Sequence, residues 1–259
     1  MDSSDRYLNP SALGTKEYWD ATYARDLTNH ATSTADEGTV WFSDADAETR
    51  VLSFLERLDD EARLRKGDLA EAEAKMMSPS SFLDLGTGNG HMLFALRAAG
   101  WAGALVGLDY SEASVALCEE ILAARRERRR RQRNESAAAE SGAGGAEGGD
   151  GGFDVVLDKG TFDAISLSDD VVPGTGGRRA CEVYREKVVP LVKAGGGLLL
   201  VTSCNWTEEE LRGWIEGAGE GGESGGFVFE DRIEYPRFRY GGKEGQSVVS
   251  VCFRRTGSG

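Results

Sequence analysis

The sequence predicts an α/β fold: a mostly parallel, doubly wound sheet closed by a C-terminal antiparallel hairpin. Three observations carry this. From residue 81 onward, short apolar and β-branched runs alternate with amphipathic helical segments. The first run ends in a glycine-rich loop that opens a helix, and the second ends in an acid, Asp109, 21 residues beyond Gly88. The last two runs, 227–233 and 247–253, read as an antiparallel pair.

Residues 15–27 (TKEYWDATYARDL) have helical composition, with Thr15 placed as the cap and Tyr18, Trp19 and Tyr23 as bulky contacts. Residues 44–58 form a second helix, whose apolar face is Val51, Leu52, Phe54, Leu55 and Leu58. The charged, Ala-rich stretch 59–78 reads as an insertion or polar helical extension. Next come a strand at 81–85, a helix at 91–99 ended by Gly100, a strand at 104–109 and a helix from Ser111. Strands at 153–157 and 197–203 alternate with helices at 178–192 and 208–216. The second of these helices opens on a capping box of Thr207 and Glu210.

Three segments interrupt the pattern. Residues 125–133 hold seven arginines in nine positions and read as the solvated end of a helix. Residues 134–152 are almost entirely Ala, Gly, Ser and acid, and cannot bury enough apolar surface to order themselves. The Gly-rich run 217–226 reads as a linker.

With 259 residues, the chain suits one generous α/β domain. Its net charge of −14 argues against a nucleic-acid backbone as partner and favours small molecules or basic proteins. Four scattered cysteines (Cys118, Cys181, Cys204, Cys252) and two histidines leave almost no material for a zinc site, so no metal is expected and the thiols read as reduced. No apolar run reaches the ~18 residues of a membrane span, and the first ten residues carry no secretory signal. The expectation is a cytoplasmic monomer with no membrane or nucleic-acid partner. The arginine run leaves nuclear entry open.

The most informative stretch is LDLGTGNG, residues 83–90. A strand ends in Asp84 and passes into glycines at alternate positions, which let the backbone turn sharply and approach a ligand closely. A dinucleotide fingerprint would require a third glycine where His91 stands, which demotes nicotinamide or flavin binding. Asp109, in GLDYS, is placed to accept hydrogen bonds from both hydroxyls of a ribose, or else to cap the following helix. Together the two motifs suggest an S-adenosylmethionine pocket. Asp84, Gly86, Thr87, Gly88, Asn89 and Gly90 would shape its methionine side, and Asp109 and Tyr110 its ribose side. Asp158 falls at the end of a central strand, bordering the ligand crevice of an open sheet. Asn205 and Trp206, where the next strand meets its helix, offer an amide and a flat apolar wall. Trp206 could equally staple that helix to the core.

These segments, with PSALGTKEYWDATYARDL, EGTVWF, DKGTFDAISL, SCNWTEEEL and PRFRYGGKEGQSV, resemble the class I methyltransferases that modify lysine in translation elongation factor 1-alpha. The likeness recurs in order from Pro10 to Phe253. It implies a seven-stranded Rossmann-like fold, S-adenosylmethionine as donor and a lysine of elongation factor 1-alpha as acceptor. It divides the chain into a helical extension, 1–79, and a methyltransferase domain, 80–255. Trp41 would lie near the cofactor. Asp158 would align the acceptor lysine beside Asn205 and Trp206, and Lys159, Gly160, Thr161, Phe162 and Asp163 would contact the substrate. On this reading Asp158→Ala loses methyl transfer and keeps cofactor binding. A small-molecule methyltransferase and a non-catalytic scaffold remain alternatives.

One departure from the family stands out. Between the Ser111 helix and Phe153 the family has a third strand ending in an acid that contacts the adenine. Here arginines and low complexity stand instead, with Asp150 a weak substitute. The expectation is a missing edge strand and an adenine side open to solvent.

Overall fold

The computed structural model describes residues 7–67, 78–134, 151–217, 226–236, 238–240 and 243–257. Half of the polar insertion, and most of both the low-complexity stretch with Asp150 and the Gly-rich linker, therefore lie outside the described residues.

Helix α1 (Lys16–Thr32) starts where Thr15 accepts the Tyr18 amide, so the predicted cap is in place. It runs five residues beyond the predicted end. Helix α2 (Ala47–Asp60) follows a 3₁₀ turn and buries Val51, Phe54, Leu55 and Leu58, four of the five predicted face residues. Then come β1 (Phe82–Leu85), α3 (His91–Ala98), β2 (Leu105–Leu108) and α4 (Glu112–Asn134). Strand β3 (Val155–Lys159) leads directly into a six-residue helix, α5 (Thr161–Ser166), for which the sequence predicts no element. Helix α6 (Ala180–Val188), β4 (Leu198–Ser203) and α7 (Glu208–Ile215) complete the alternation. The Thr207–Glu210 capping box opens α7 as expected.

The main sheet has six strands. From one edge to the other they are β2, β1, β3, β4, β8 (Val249–Arg255) and β5 (Phe227–Ile233). The first four are parallel, and β8 runs antiparallel between β4 and β5. The closing antiparallel pair is therefore present, with its last strand inside and β5 at the rim. A small ribbon, β6 (Phe238–Tyr240) with β7 (Lys243–Gly245), connects the two. Among the described residues no strand pairs with the free side of β2; the segment in which a strand was expected to be missing lies outside the described residues.

Strand alternation divides the core into two layers. Phe82, Val155, Leu157, Leu198 and Leu200 face α2 and α3, where Leu55, Leu58, Leu96 and Trp101 fill the space. Leu83, Val156, Leu199 and Val201 face the other way, onto Phe162, Tyr184, Trp206 and Trp214. Helix α1 packs on α4 through Tyr23, Leu117 and Ile121. No helix among the described residues is long and apolar enough to cross a membrane.

Leu199 is fully buried at the centre of β4. Leu199→Ala is expected to lower unfolding free energy by about 2–5 kcal/mol, read from urea unfolding at neutral pH, because the sheet cannot close over the cavity.

Candidate functional site

The C-terminal ends of β1, β2, β3 and β4 open into one cleft of about 1050 Å³, part of it open solvent. Its floor is the glycine loop. Gly86, Gly88 and Gly90 have φ of 63°, 57° and 74°, the left-handed region that glycine tolerates. A Cβ at Gly86 would lie 2.1 Å from Thr161 Oγ1, one at Gly88 2.6 Å from Tyr23 Oη, and one at Gly90 2.3 Å from Cys118 Sγ. The loop is therefore clasped by α5, α1 and α4 at successive glycines. Gly86 lines the cleft, whereas Gly88 and Gly90 lie behind it.

Asp109 lines one end. Its two carboxylate oxygens accept the Gly88 and Ser111 amides at 3.0 and 2.9 Å. The acid thus caps the start of α4 and also faces the cleft, and a carboxylate with about four lone-pair sites keeps capacity for two more donors. Tyr110 beside it is half exposed, with Lys16 Nζ 5.5 Å from its ring centre. Asp84 is buried at the end of β1 and accepts Thr87 Oγ1 at 2.8 Å. Burial pushes its carboxyl up to about 6, against the Thr87 hydrogen bond and the Lys159 charge. Asn89 lines the cleft, and its Nδ2 donates to the carbonyls of Glu37 and Thr39, at 2.8 and 3.3 Å. It holds the segment that roofs the cleft.

That roof was largely missed from sequence. Thr39, Val40, Trp41 and Phe42 line the cleft, and Trp19 and Tyr23 of α1 continue it. Trp19 meets Trp41 edge-on with centroids 5.3 Å apart and stacks on Tyr23 at 6.0 Å. Of these only Trp41 was anticipated, through EGTVWF; the bulky residues of the first helix were read as packing contacts. Lys159 reaches from β3 to donate to the Trp41 carbonyl at 3.2 Å. Burial draws its ammonium downward while the Asp84, Glu48 and Asp158 carboxylates oppose. His91 also lines the cleft, bound through Nδ1 to Glu48 at 2.7 Å.

At the other end Lys159, Gly160, Thr161, Asp163 and Asn205 line the cleft together. Three expected site residues do not. Asp158 is 1% exposed, and its Oδ1 accepts the Thr161 and Phe162 amides at 3.0 Å while Oδ2 accepts Tyr184 Oη at 2.5 Å. It faces the α6 layer because strand alternation puts it on the side of Val156, opposite Lys159. Phe162 is core, and Trp206 donates from Nε1 to Ser166 Oγ in the same aromatic cluster. Trp206 is therefore the staple, not a wall of the cleft.

The carboxyl that does reach the cleft is Asp163, five residues later on α5. It accepts Ser203 Oγ at 2.5 Å and the Cys204 amide at 2.8 Å. Burial raises its pKa against those hydrogen bonds. Cys204 beside it is no nucleophile, since burial and the Asp163 charge push the thiol up to about 12. Among the described residues no cluster could hold a metal ion.

These residues fit a nucleoside-bearing cation. An acid with spare acceptor capacity stands at the β2 end, a second acid lies beneath the loop, aromatic rings attract positive charge, and the missing Cβ at Gly86 leaves the loop backbone bare.

The folded chain keeps protons on Asp158, pushed up to about 7 by burial, and on Asp84 that the unfolded chain releases. The contribution of these two groups to stability therefore falls as pH rises from about 4 to about 7. Asp158→Asn should make that decline shallower. Asp158→Ala should cost about 2–4 kcal/mol by leaving helix amides unpaired, both read by urea unfolding at pH 5 and pH 8.

A family model described as "Methyltransferase domain" matches residues 78–223. The chain is 38% identical over 246 residues to the protein-lysine N-methyltransferase EFM4 of Saccharomyces cerevisiae, covering 95% of this chain and 96% of that protein. It is 35% identical over 252 residues to efm4 of Schizosaccharomyces pombe, with 95% of each covered. Against EEF1A lysine methyltransferase 2 of Homo sapiens it is 32% identical over 248 residues, covering 95% and 88%. With the cleft built as it is, these likenesses place the chain in the Rossmann-like, S-adenosylmethionine-dependent methyltransferases, in the family of these protein-lysine N-methyltransferases.

Proposed function

We propose that the protein transfers methyl groups to a lysine of elongation factor 1-alpha, and that the two ends of the cleft divide the work. The observation that carries this is the placement of Asp109 and Asp163 at the ends of β2 and on α5, lining one continuous cleft. The likeness to EFM4 and EEF1A lysine methyltransferase 2 along nearly the whole chain supports the choice of acceptor.

Asp109 would hold the ribose hydroxyls, and Tyr110 would flank the base. Asp84, Gly86 and Thr87 would take the amino-acid end, under a roof of Trp41. When bound, S-adenosylmethionine supplies an electrophilic methyl group on a sulfonium. The acceptor amine must be neutral to attack it, yet a lysine of pKa ~10.4 is neutral about once in 2,500 molecules at pH 7, a deficit of ~4.6 kcal/mol. Leu13, Ala164 and Leu167 line the cleft with apolar surface, and desolvation there disfavours the ammonium form. Asp163 acts in the opposite sense, favouring the charged amine, so its role is to receive and align the lysine with the Asn205 amide. Ser203 and the Cys204 amide fix the Asp163 carboxylate in orientation. Alignment contributes much of the rate in such a reaction, and the proton leaves to water. From the helical extension, α1 and residues 39–42 contribute the roof of the cleft, and the acidic chain is suited to a basic acceptor surface.

The test is transfer of labelled methyl from S-adenosylmethionine to purified elongation factor 1-alpha. Label should appear on a lysine of the factor. Asp109→Ala should lose cofactor affinity. Asp163→Asn should lower kcat by about tenfold or more with cofactor affinity within about twofold. Equal activity of Asp163→Asn and wild type would remove Asp163 from the acceptor site.

A further inference from the structure

We propose that Arg125 and Arg128, the first members of the arginine run, are positioning residues for the cofactor side of the cleft. They act through Glu37, holding in place the segment that carries Thr39, Trp41 and Phe42 into it. The functional half of this rests on reading the cleft as the S-adenosylmethionine site.

Residues 33–42 join α1 to the turn before α2 and contain no helix or strand of their own. A segment of this kind is ordered only by what it touches. His30 Nδ1 meets the Asp36 carbonyl at 2.7 Å and Lys159 donates to the Trp41 carbonyl at 3.2 Å, and between them the side-chain charge of the segment is held at Glu37. Arg125 grips that carboxylate with two nitrogens, Nε to Oε1 at 3.1 Å and Nη2 to Oε2. Arg128 adds Nη2 to Oε1 at 2.8 Å. The forked, charge-assisted arrangement is the strong form of an ion pair. The Arg125 guanidinium also lies 4.4 Å from the Phe94 ring centre, so one side chain links α4, α3 and the roof. On the backbone of the same residues, the Asn89 amide binds the Glu37 and Thr39 carbonyls. The roof is thus tied both to the glycine loop and to α4.

Within the run this arrangement is distinctive. Arg130 and Arg131 pair with Glu127 one turn away on their own helix, with side chains 71% and 76% exposed, and such pairs contribute little. Glu37 is 19% exposed at the side chain, and the Arg125 hydrogen bond holds its carboxyl below the usual range. The run is therefore solvated at Arg130 and Arg131 and a clamp at Arg125 and Arg128.

Glu37→Gln and the double variant Arg125→Gln/Arg128→Gln test this in the full chain with two readouts. Amide hydrogen exchange in the ligand-free protein should quicken over residues 37–42 while β1, β3 and β4 exchange as in wild type. Calorimetric affinity for S-adenosylhomocysteine should weaken about tenfold, or ~1.4 kcal/mol. The swapped pair Glu37→Arg with Arg125→Glu should recover affinity relative to Glu37→Arg alone. Unchanged exchange at 37–42 in Glu37→Gln would overturn the clamp. Exchange quickened throughout the sheet, with no recovery in the swap, would also overturn it, because the ion pair would then be general stabilisation. Failure of wild type to bind S-adenosylhomocysteine would overturn the functional half, while exchange would still decide the clamp.

Discussion

The close approach of three elements to one loop backbone sets the architecture of this protein. At Gly86, Gly88 and Gly90 the space a Cβ would fill is taken by Thr161, Tyr23 and Cys118. Those residues begin α5, lie midway along α1 and sit in α4. Because the loop has no side chains at these points, a short helix, the N-terminal helix and the long crossover helix all converge where β1 ends. The cleft is what remains between them. The glycines thus serve packing as much as ligand approach, and only Gly86 faces the cleft itself.

Placing acids around such a cleft has unequal consequences. Asp84, Asp158 and Asp163 are all buried, and burial raises each carboxyl. Their surroundings separate their roles. Asp158 has its acceptor capacity taken up by two helix amides and a tyrosine hydroxyl, so it secures the β3–α5 turn. Asp163 is held by Ser203 and the Cys204 amide with its carboxyl still on the cleft. Lys159 adds a cation on the Asp84 side, and its bond to the Trp41 carbonyl couples the strand end to the roof.

The edge at β2 shows a different accommodation. Leu108 and Tyr110 are about half exposed there, since no strand among the described residues covers them. On the same side, α4 is 23 residues long and reaches past the roof, bringing arginines to an otherwise strongly acidic chain. Positive charge is spent at Glu37, where a loop without secondary structure has to be held over apolar and aromatic walls.

Much of the fold was legible because its signals are local. Thr15, the Thr207–Glu210 pair and the face of α2 follow from capping and a 3.6-residue period. LDLGTGNG and Asp109 follow from the chemistry of a strand end beside a ligand. The short α5 was hidden because six residues hold too little period to distinguish a helix from a turn. Nothing in the arginine run revealed that Arg125 and Arg128 reach Glu37, a pairing 88 and 91 residues apart. The choice between Asp158 and Asp163 is the clearest case. Alternation along β3 states that Asp158 and Lys159 point to opposite faces. Which face opens onto a cleft is decided only when α1, α2 and the roof segment pack against one of them. The sequence by itself determined the elements, the family and the cofactor loop, because these depend on neighbours within a few residues. Tertiary structure alone decided which acid faces the cleft and what roofs it, because those depend on contacts between segments far apart in the chain.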